Sequence, residues 1–138
     1  MGSHPLTLLD THVLVWLAAA EPRLGQQARA RADEALAADA LAVSAISFWE
    51  ICMLDRKGRI ELGQPPQAYR RELLELGLVE MPVTGEVGIA AALLAGFHDD
   101  PADRIIAATA SLARATLITA DQRILDWPGP LIRQDGRL

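Results

Sequence analysis

Two hydrophobic rhythms alternate along this chain. Short apolar runs at Leu6 to Leu9, Leu41 to Val43, Leu78 to Val83 and Thr116 to Ile118 have the character of buried strands. Between them, apolar positions recur at helical spacing or good helix formers predominate. The pattern predicts helices over His12 to Ala20, Gly25 to Ala38, Pro65 to about Gly77 and Thr84 to Ala95. A further helix starts at Ser44 or Ser47 and runs through Trp49, Ile51 and Leu54 towards Gly58. Another begins at Asp100-Pro101 and carries the stripe Ile105, Ile106, Thr109 and Leu112. After the last of these strands, Thr119-Ala120-Asp121 opens a short helix to about Leu125. Trp127 to Pro130 reads as a turn, Leu131 to Ile132 as an edge strand, and the tail from Arg133 as polar and loose.

Strands alternating with helices predict a three-layer α/β/α fold, with a short, mainly parallel central sheet flanked by helices. The 138 residues, 51% hydrophobic and 22% charged, suit one domain over 1–138, with Met1 to His4 read as a cloning remnant. No repeat, low-complexity tract or linker interrupts them. The net charge of −5 gives no overall basic surface for nucleic acid. The single cysteine, Cys52, excludes an internal disulfide, suits a reducing compartment and falls in an apolar pattern that predicts a buried thiol. No membrane-length apolar run and no signal peptide are apparent, so a soluble, cytoplasmic protein is expected.

Chemistry enters with the acids. Asp10 directly follows the first predicted strand, and Asp121 follows the strand at Thr116 to Ile118. Glu50 lies in the helix after the second strand, and Asp103 in the first turn of the helix before the later one. Parallel sheets gather functional groups beyond the carboxyl ends of their strands, so this topology brings all four to one crevice. Each acid alone has a structural account. Asp10, Asp100 and Asp121 suit N-caps, Asp103 complements a helix dipole, and Ser47-Phe48-Trp49-Glu50 fits a capping box. Capping, however, does not require acids after both strands and two more on adjacent helices.

Carboxylates in one cleft repel, by roughly 4 kcal/mol for two unit charges about 4 Å apart at an effective dielectric near about 20. Protons or hard cations must relieve that repulsion. Oxygen ligands without a cysteine or a convincing histidine pair favour Mg²⁺ or Mn²⁺ over zinc. Such ions lower the pKa of a bound water, stabilise a leaving phosphodiester oxygen and reverse the local charge. These properties describe a metal-dependent nuclease.

Four segments carry a family resemblance: LLDTHVLVW from Leu8 to Trp16, SAISFWEI from Ser44 to Ile51, DPADRIIAATA from Asp100 to Ala110, and LITADQRIL from Leu117 to Leu125. With these the chain resembles PIN-domain nucleases, and more closely the VapC-type toxins of toxin–antitoxin pairs. The resemblance implies a PIN-like fold and a single-stranded RNA endonuclease using Mg²⁺ or Mn²⁺. It places the family's acids on Asp10, Glu50, Asp103 and Asp121, with Asp10, Asp103 and Asp121 as metal ligands and Glu50 helping to activate the nucleophile. It gives Thr119 a role in orienting the last acid, and makes His98 and Asp100 part of an HxDPxD pattern to which structural work is assigned. A cognate antitoxin and a homodimer also follow from the resemblance alone.

Other residues keep two readings at this level. Arg56 and Lys57 form, with Arg59, either a helix end or a contact to RNA phosphates. Arg104 either orients a carboxylate or meets a phosphate. Arg70 and Arg71 suit a solvated helix face as well as RNA. Trp16 and Trp49 read as core or as the edge of a partner groove, Trp127 as turn packing, and His12 as a satisfied histidine. Two rival functions remain: a non-catalytic module binding an antitoxin, and an aspartyl-phosphate phosphatase. The second lacks an acid two residues after Asp10, and its only lysine is Lys57.

Overall fold

The computed structural model describes residues 4–138, so the proposed remnant lies outside the described residues except for His4. Twelve elements follow in order. They are β1 (Thr7–Leu9), α1 (Thr11–Ala18), α2 (Gln26–Ala37), β2 (Leu41–Ser44), α3 (Ile46–Arg56) and α4 (Pro66–Glu75). Then come β3 (Val79–Met81), α5 (Gly85–Ala92), α6 (Pro101–Ala113), β4 (Thr116–Thr119), α7 (Gln122–Leu125) and β5 (Ile132–Asp135). The strands form one sheet in the order β3-β2-β1-β4-β5, and every pairing is parallel. This is the three-layer α/β/α arrangement expected from the pattern.

Register explains the two cores. Leu8 stands beside Ala42 on one side and Leu117 on the other, and Leu9 stands beside Val43 and Ile118. Alternate side chains point to opposite faces. Leu8, Ala42 and Leu117 therefore pack with Ile106, Ala107, Ala110 and Ile124 of α6 and α7. Leu9, Val43 and Ile118 pack with Val13, Leu14, Ala28, Ala32 and Ile51 of α1, α2 and α3. Strands buried on both faces read as continuous apolar runs, which is why they were short but visible in the sequence.

Three expectations are corrected. The tail is not loose: β5 runs to Asp135, and the Gly136 carbonyl accepts a 2.8 Å hydrogen bond from the Gly25 amide. Gly25 is required there, because a Cβ would lie 2.1 Å from the Leu138 carbonyl carbon. Polarity misled the reading; an edge strand with Arg133, Gln134 and Asp135 needs apolar character on one face only. Trp49 is not core but 57% exposed on α3. Cys52 is only partly buried, in an apolar hollow with Phe48, Ile51 and Tyr69. Trp127 does pack beneath its turn, edge-on to Phe97 at 5.2 Å.

Ile106 is fully buried where α6 meets the sheet. Ile106→Ala is expected to lower unfolding stability by about 2–5 kcal/mol in urea titration, the range for truncating a buried aliphatic side chain. A loss below about 1 kcal/mol would contradict close packing of α6 on β1 and β4.

Candidate active site

β1 lies between β2 and β4, so the chain leaves the sheet centre in opposite directions on its two sides. Such a reversal opens a crevice beyond the strand ends. Asp10 and Asp121 both emerge there. The Asp10 amide continues the β1–β4 ladder by donating to Ile118 O at 3.0 Å. That step sets Asp10 beside Thr119, whose Oγ1 donates to Asp10 Oδ2 at 2.6 Å and accepts from the Asp121 amide at 3.1 Å. One buried hydroxyl thus ties the two acids together. Asp10 Oδ1 also accepts from the Thr11 amide at 2.8 Å, capping α1.

Glu50 arrives from α3 and Asp103 from the first turn of α6. The expected capping box is absent: α3 begins at Ile46, so Ser47 is already inside it, and the Ile46 amide instead donates to Ser44 Oγ at 3.2 Å. Ser47 Oγ lies 2.9 Å from Thr11 Oγ1, which also hydrogen-bonds a Glu50 carboxylate oxygen. A hydroxyl has one proton, and the carboxylate is the stronger acceptor, so Thr11 donates to Glu50. Thr11 and Ser47 are fully buried. Sequence reading passed over Thr11 and gave Ser47 only a capping role; the available signal was two small hydroxyl residues in otherwise apolar surroundings, each near an acid.

Asp10, Glu50, Asp103 and Asp121 line one cleft of about 310 Å³, joined by His12, Trp16, Asp100 and Arg123. Asp10 is 6% exposed and Asp103 7%. Burial pushes the Asp10 carboxyl up, against the hydrogen bonds from Thr119 and Thr11. It pushes Glu50 up as well, against the Thr11 hydroxyl and with help from the charges of Asp10 and Asp100. Asp103 is pushed up to about 7, first by burial and then by Asp10, Asp100 and Glu50, against the hydrogen bond with His98. For Asp121 burial acts upward too, but the hydrogen bonds and charge of Arg123 outweigh it and hold the carboxyl low.

His98 and Asp100 both hydrogen-bond Asp103. His98 Nε2 contacts Asp103 Oδ2 at 2.7 Å, and its ring stacks on Phe97 at 4.5 Å. Asp100 does cap α6, its Oδ1 accepting from the Asp103 amide at 3.0 Å. Ligand atoms of His98, Asp103 and Asp121 lie within 4.8 Å of one another, as do those of Glu50, Asp100 and Asp103. Carboxylate oxygens with one imidazole suit a hard divalent cation. Arg123, also unforeseen, already stands as a positive charge between two of them, 2.9 Å from Asp121 Oδ2 and 3.6 Å from Asp103 Oδ2.

The other candidates separate clearly. Arg104 meets neither a carboxylate nor open solvent with its donors. All five guanidinium N–H groups are directed at the carbonyls of Ala91, Leu94, Phe97 and His98. It pins the α5–α6 connection, which carries His98 and Asp100. Arg56 and Lys57 stand exposed at the end of α3, Arg56 about 9 Å along the axis from Glu50 at 1.5 Å per residue. Arg70 is paired with Glu80 at 2.7 Å. His12 is exposed at the cleft rather than satisfied inside the fold.

Two predictions follow from this geometry. In metal-free buffer the folded protein holds a proton on Asp103 that the unfolded chain has already released, so this group's contribution to stability falls as pH rises from about 4 to about 7. Asp103→Asn removes that titration. Urea midpoints of the variant should gain on the wild type across this window; parallel pH profiles would refute the raised proton affinity. Arg104→Lys cannot serve the same carbonyls with a fork of donors. It should cost about 1–3 kcal/mol, the scale for unsatisfied buried polar groups, in the same titration.

Comparison with known proteins agrees with this fold. Residues 7–129 match the family model for the PIN domain. The chain is 37% identical over 117 residues to Ribonuclease VapC22 of Mycobacterium tuberculosis (strain ATCC 25618 / H37Rv), covering 85% of this chain and 88% of that protein. Among solved structures, a DNA-bound VapBC from Salmonella typhimurium has a TM-score of 0.69 at 17% identity, covering 96% of this chain and 98% of that one. VapBC-1 from nontypeable Haemophilus influenzae has a TM-score of 0.62 at 25% identity, covering 94% and 97%. The chain belongs to the PIN-domain family, with its acids gathered where the sheet reverses its strand order.

Proposed function

We propose that the protein is an endoribonuclease of the VapC type, the toxin of a toxin–antitoxin pair, which hydrolyses phosphodiester bonds in single-stranded RNA with Mg²⁺ or Mn²⁺. The observation that carries this reading is the convergence of Asp10, Glu50, Asp103 and Asp121 on one cleft, in a chain similar over most of its length to a ribonuclease. The whole chain, 1–138, is read as a single PIN domain.

Asp10, Asp103 and Asp121 would hold the cation, with His98 within 4.8 Å of the ligand atoms of Asp103 and Asp121, and Asp100 within 4.8 Å of those of Asp103 and Glu50. Once bound, a divalent ion there offsets the carboxylate charge, makes a water more acidic and favours departure of the leaving oxygen. Thr119 keeps Asp10 and Asp121 in fixed relation through its two hydrogen bonds. Glu50, its proton affinity raised by burial and its carboxylate oriented by Thr11, is suited to take the proton of the attacking water. Lys57 and Arg56 remain candidates for phosphates flanking the cut. Arg104 does not, since its donors are already used.

The partner proposed is an antitoxin, by likeness to the VapBC assemblies, with a homodimer as the toxin's own state and the cytoplasm as its setting. No described helix is long and apolar enough to cross a membrane. The phosphatase alternative gains nothing, because Lys57 does not line the cleft.

The deciding experiment is cleavage of labelled RNA by purified protein in Mg²⁺, Mn²⁺ or EDTA, beside Asp10→Asn and Asp103→Ala. Metal-dependent cuts are expected from the wild type, reduced at least about 100-fold in either variant, a loss typical of removing a group that stabilises transition-state charge. Equal cutting by all three proteins would sink the four-acid site. Partner binding without cleavage in either metal would favour the non-catalytic module.

A further inference from the structure

Among the described residues lining the acid cleft, Arg123 alone carries a permanent positive charge. Its Nη2 is 2.9 Å from Asp121 Oδ2 and 3.6 Å from Asp103 Oδ2, and its Nε is 3.3 Å from Asp121 Oδ1. It therefore grips both oxygens of one acid and reaches a second acid on another helix. Among the described residues, no other side chain pairs with it. The side chain is 62% exposed and projects from α7, a helix of four residues, whose hold on the core comes from Ile124 instead. By contrast, Arg104 and Arg133 direct their donors to backbone carbonyls and are fixed by the fold.

Asp103 and Asp121 are also two of the three groups, with His98, whose ligand atoms lie within 4.8 Å of one another. A guanidinium seated on these carboxylates competes with a divalent ion for their lone pairs and repels its charge. We infer that Arg123 is a built-in, displaceable counter-ion: in the metal-free protein it pairs with Asp121 and reaches Asp103, and it gives way when a cation takes their oxygens. The inference rests on the metal-dependent reading above. Its consequence is that this chain's own arginine weakens metal binding while stabilising the metal-free site.

The sign of that effect separates it from a structural role. If Arg123 only braced α7, removing it would loosen the site and weaken metal binding. If it competes with the metal, removing it tightens binding. The test is calorimetric titration of Mn²⁺ into wild type, Arg123→Gln and Arg123→Lys, with thermal melts of each in EDTA and in saturating Mn²⁺. Arg123→Gln should bind Mn²⁺ about five- to tenfold more tightly, the order expected when the ion pairs to two carboxylates are lost. It should melt below wild type in EDTA, with the gap closing in Mn²⁺ because a ligand that binds only the folded state stabilises it. Arg123→Lys retains the charge but not the two-pronged grip, and should fall between them. It also carries the test should the glutamine variant fold poorly. Unchanged or weaker Mn²⁺ binding in a folded variant overturns the inference. Absence of Mn²⁺ binding in all three proteins overturns the metal reading itself, and the inference with it.

Discussion

Burying negative charge beyond the carboxyl ends of two neighbouring strands is the constraint on which the rest of this structure depends. Asp10 follows β1 and Asp121 follows β4, and the parallel register of these strands leaves the two acids no choice but proximity. Glu50 and Asp103 then close in from α3 and α6. A carboxylate taken out of water without a partner is costly, so every acid here has a specific donor. Thr119 and the Thr11 amide serve Asp10, the Thr11 hydroxyl serves Glu50, His98 serves Asp103 and Arg123 serves Asp121.

These donors do not satisfy the acids equally, and the inequality has chemical meaning. Asp121 faces a guanidinium and is held in its charged form. Asp103, nearly as buried as Asp10 and surrounded by other acids, keeps a proton until about neutral pH. A site divided in this way holds a charged and a protonated carboxyl side by side. Its one permanent positive charge among the described lining residues is an exposed arginine, less compact than a metal ion.

The scaffold holds that arrangement with ordinary means. The alternation of Leu8 and Leu9 sends one residue into each core, so β1 is clamped from both faces directly behind Asp10. Arg104 fastens the α5–α6 connection by its carbonyls, and with it the positions of His98 and Asp100. Buried charge-assisted bonds of this kind hold a loop to one geometry where apolar contacts alone would let it slide.

Much of this was written in the chain itself. Buried parallel strands are short continuous apolar runs, and helices announce themselves by spacing and caps, so the element order and the four acids could be read directly. Local pattern could also place Asp100 as a cap, because capping involves residues three positions apart. It could not see what depends on partners distant in sequence. The polar edge strand β5 is held by β4, and the residues after it by the start of α2; Ser47 bonds Thr11 rather than its own helix end; Arg104 turns away from its neighbour Asp103. Arg123 meets Asp103, twenty residues away, only because α7 and α6 converge beyond the same strand ends. Sequence alone determined which chemistry the chain carries, since that lies in residue types and their placement after strands. Tertiary structure decided which donor each acid receives, because hydrogen bonds and charges act through space over a few ångströms, whatever their distance along the chain.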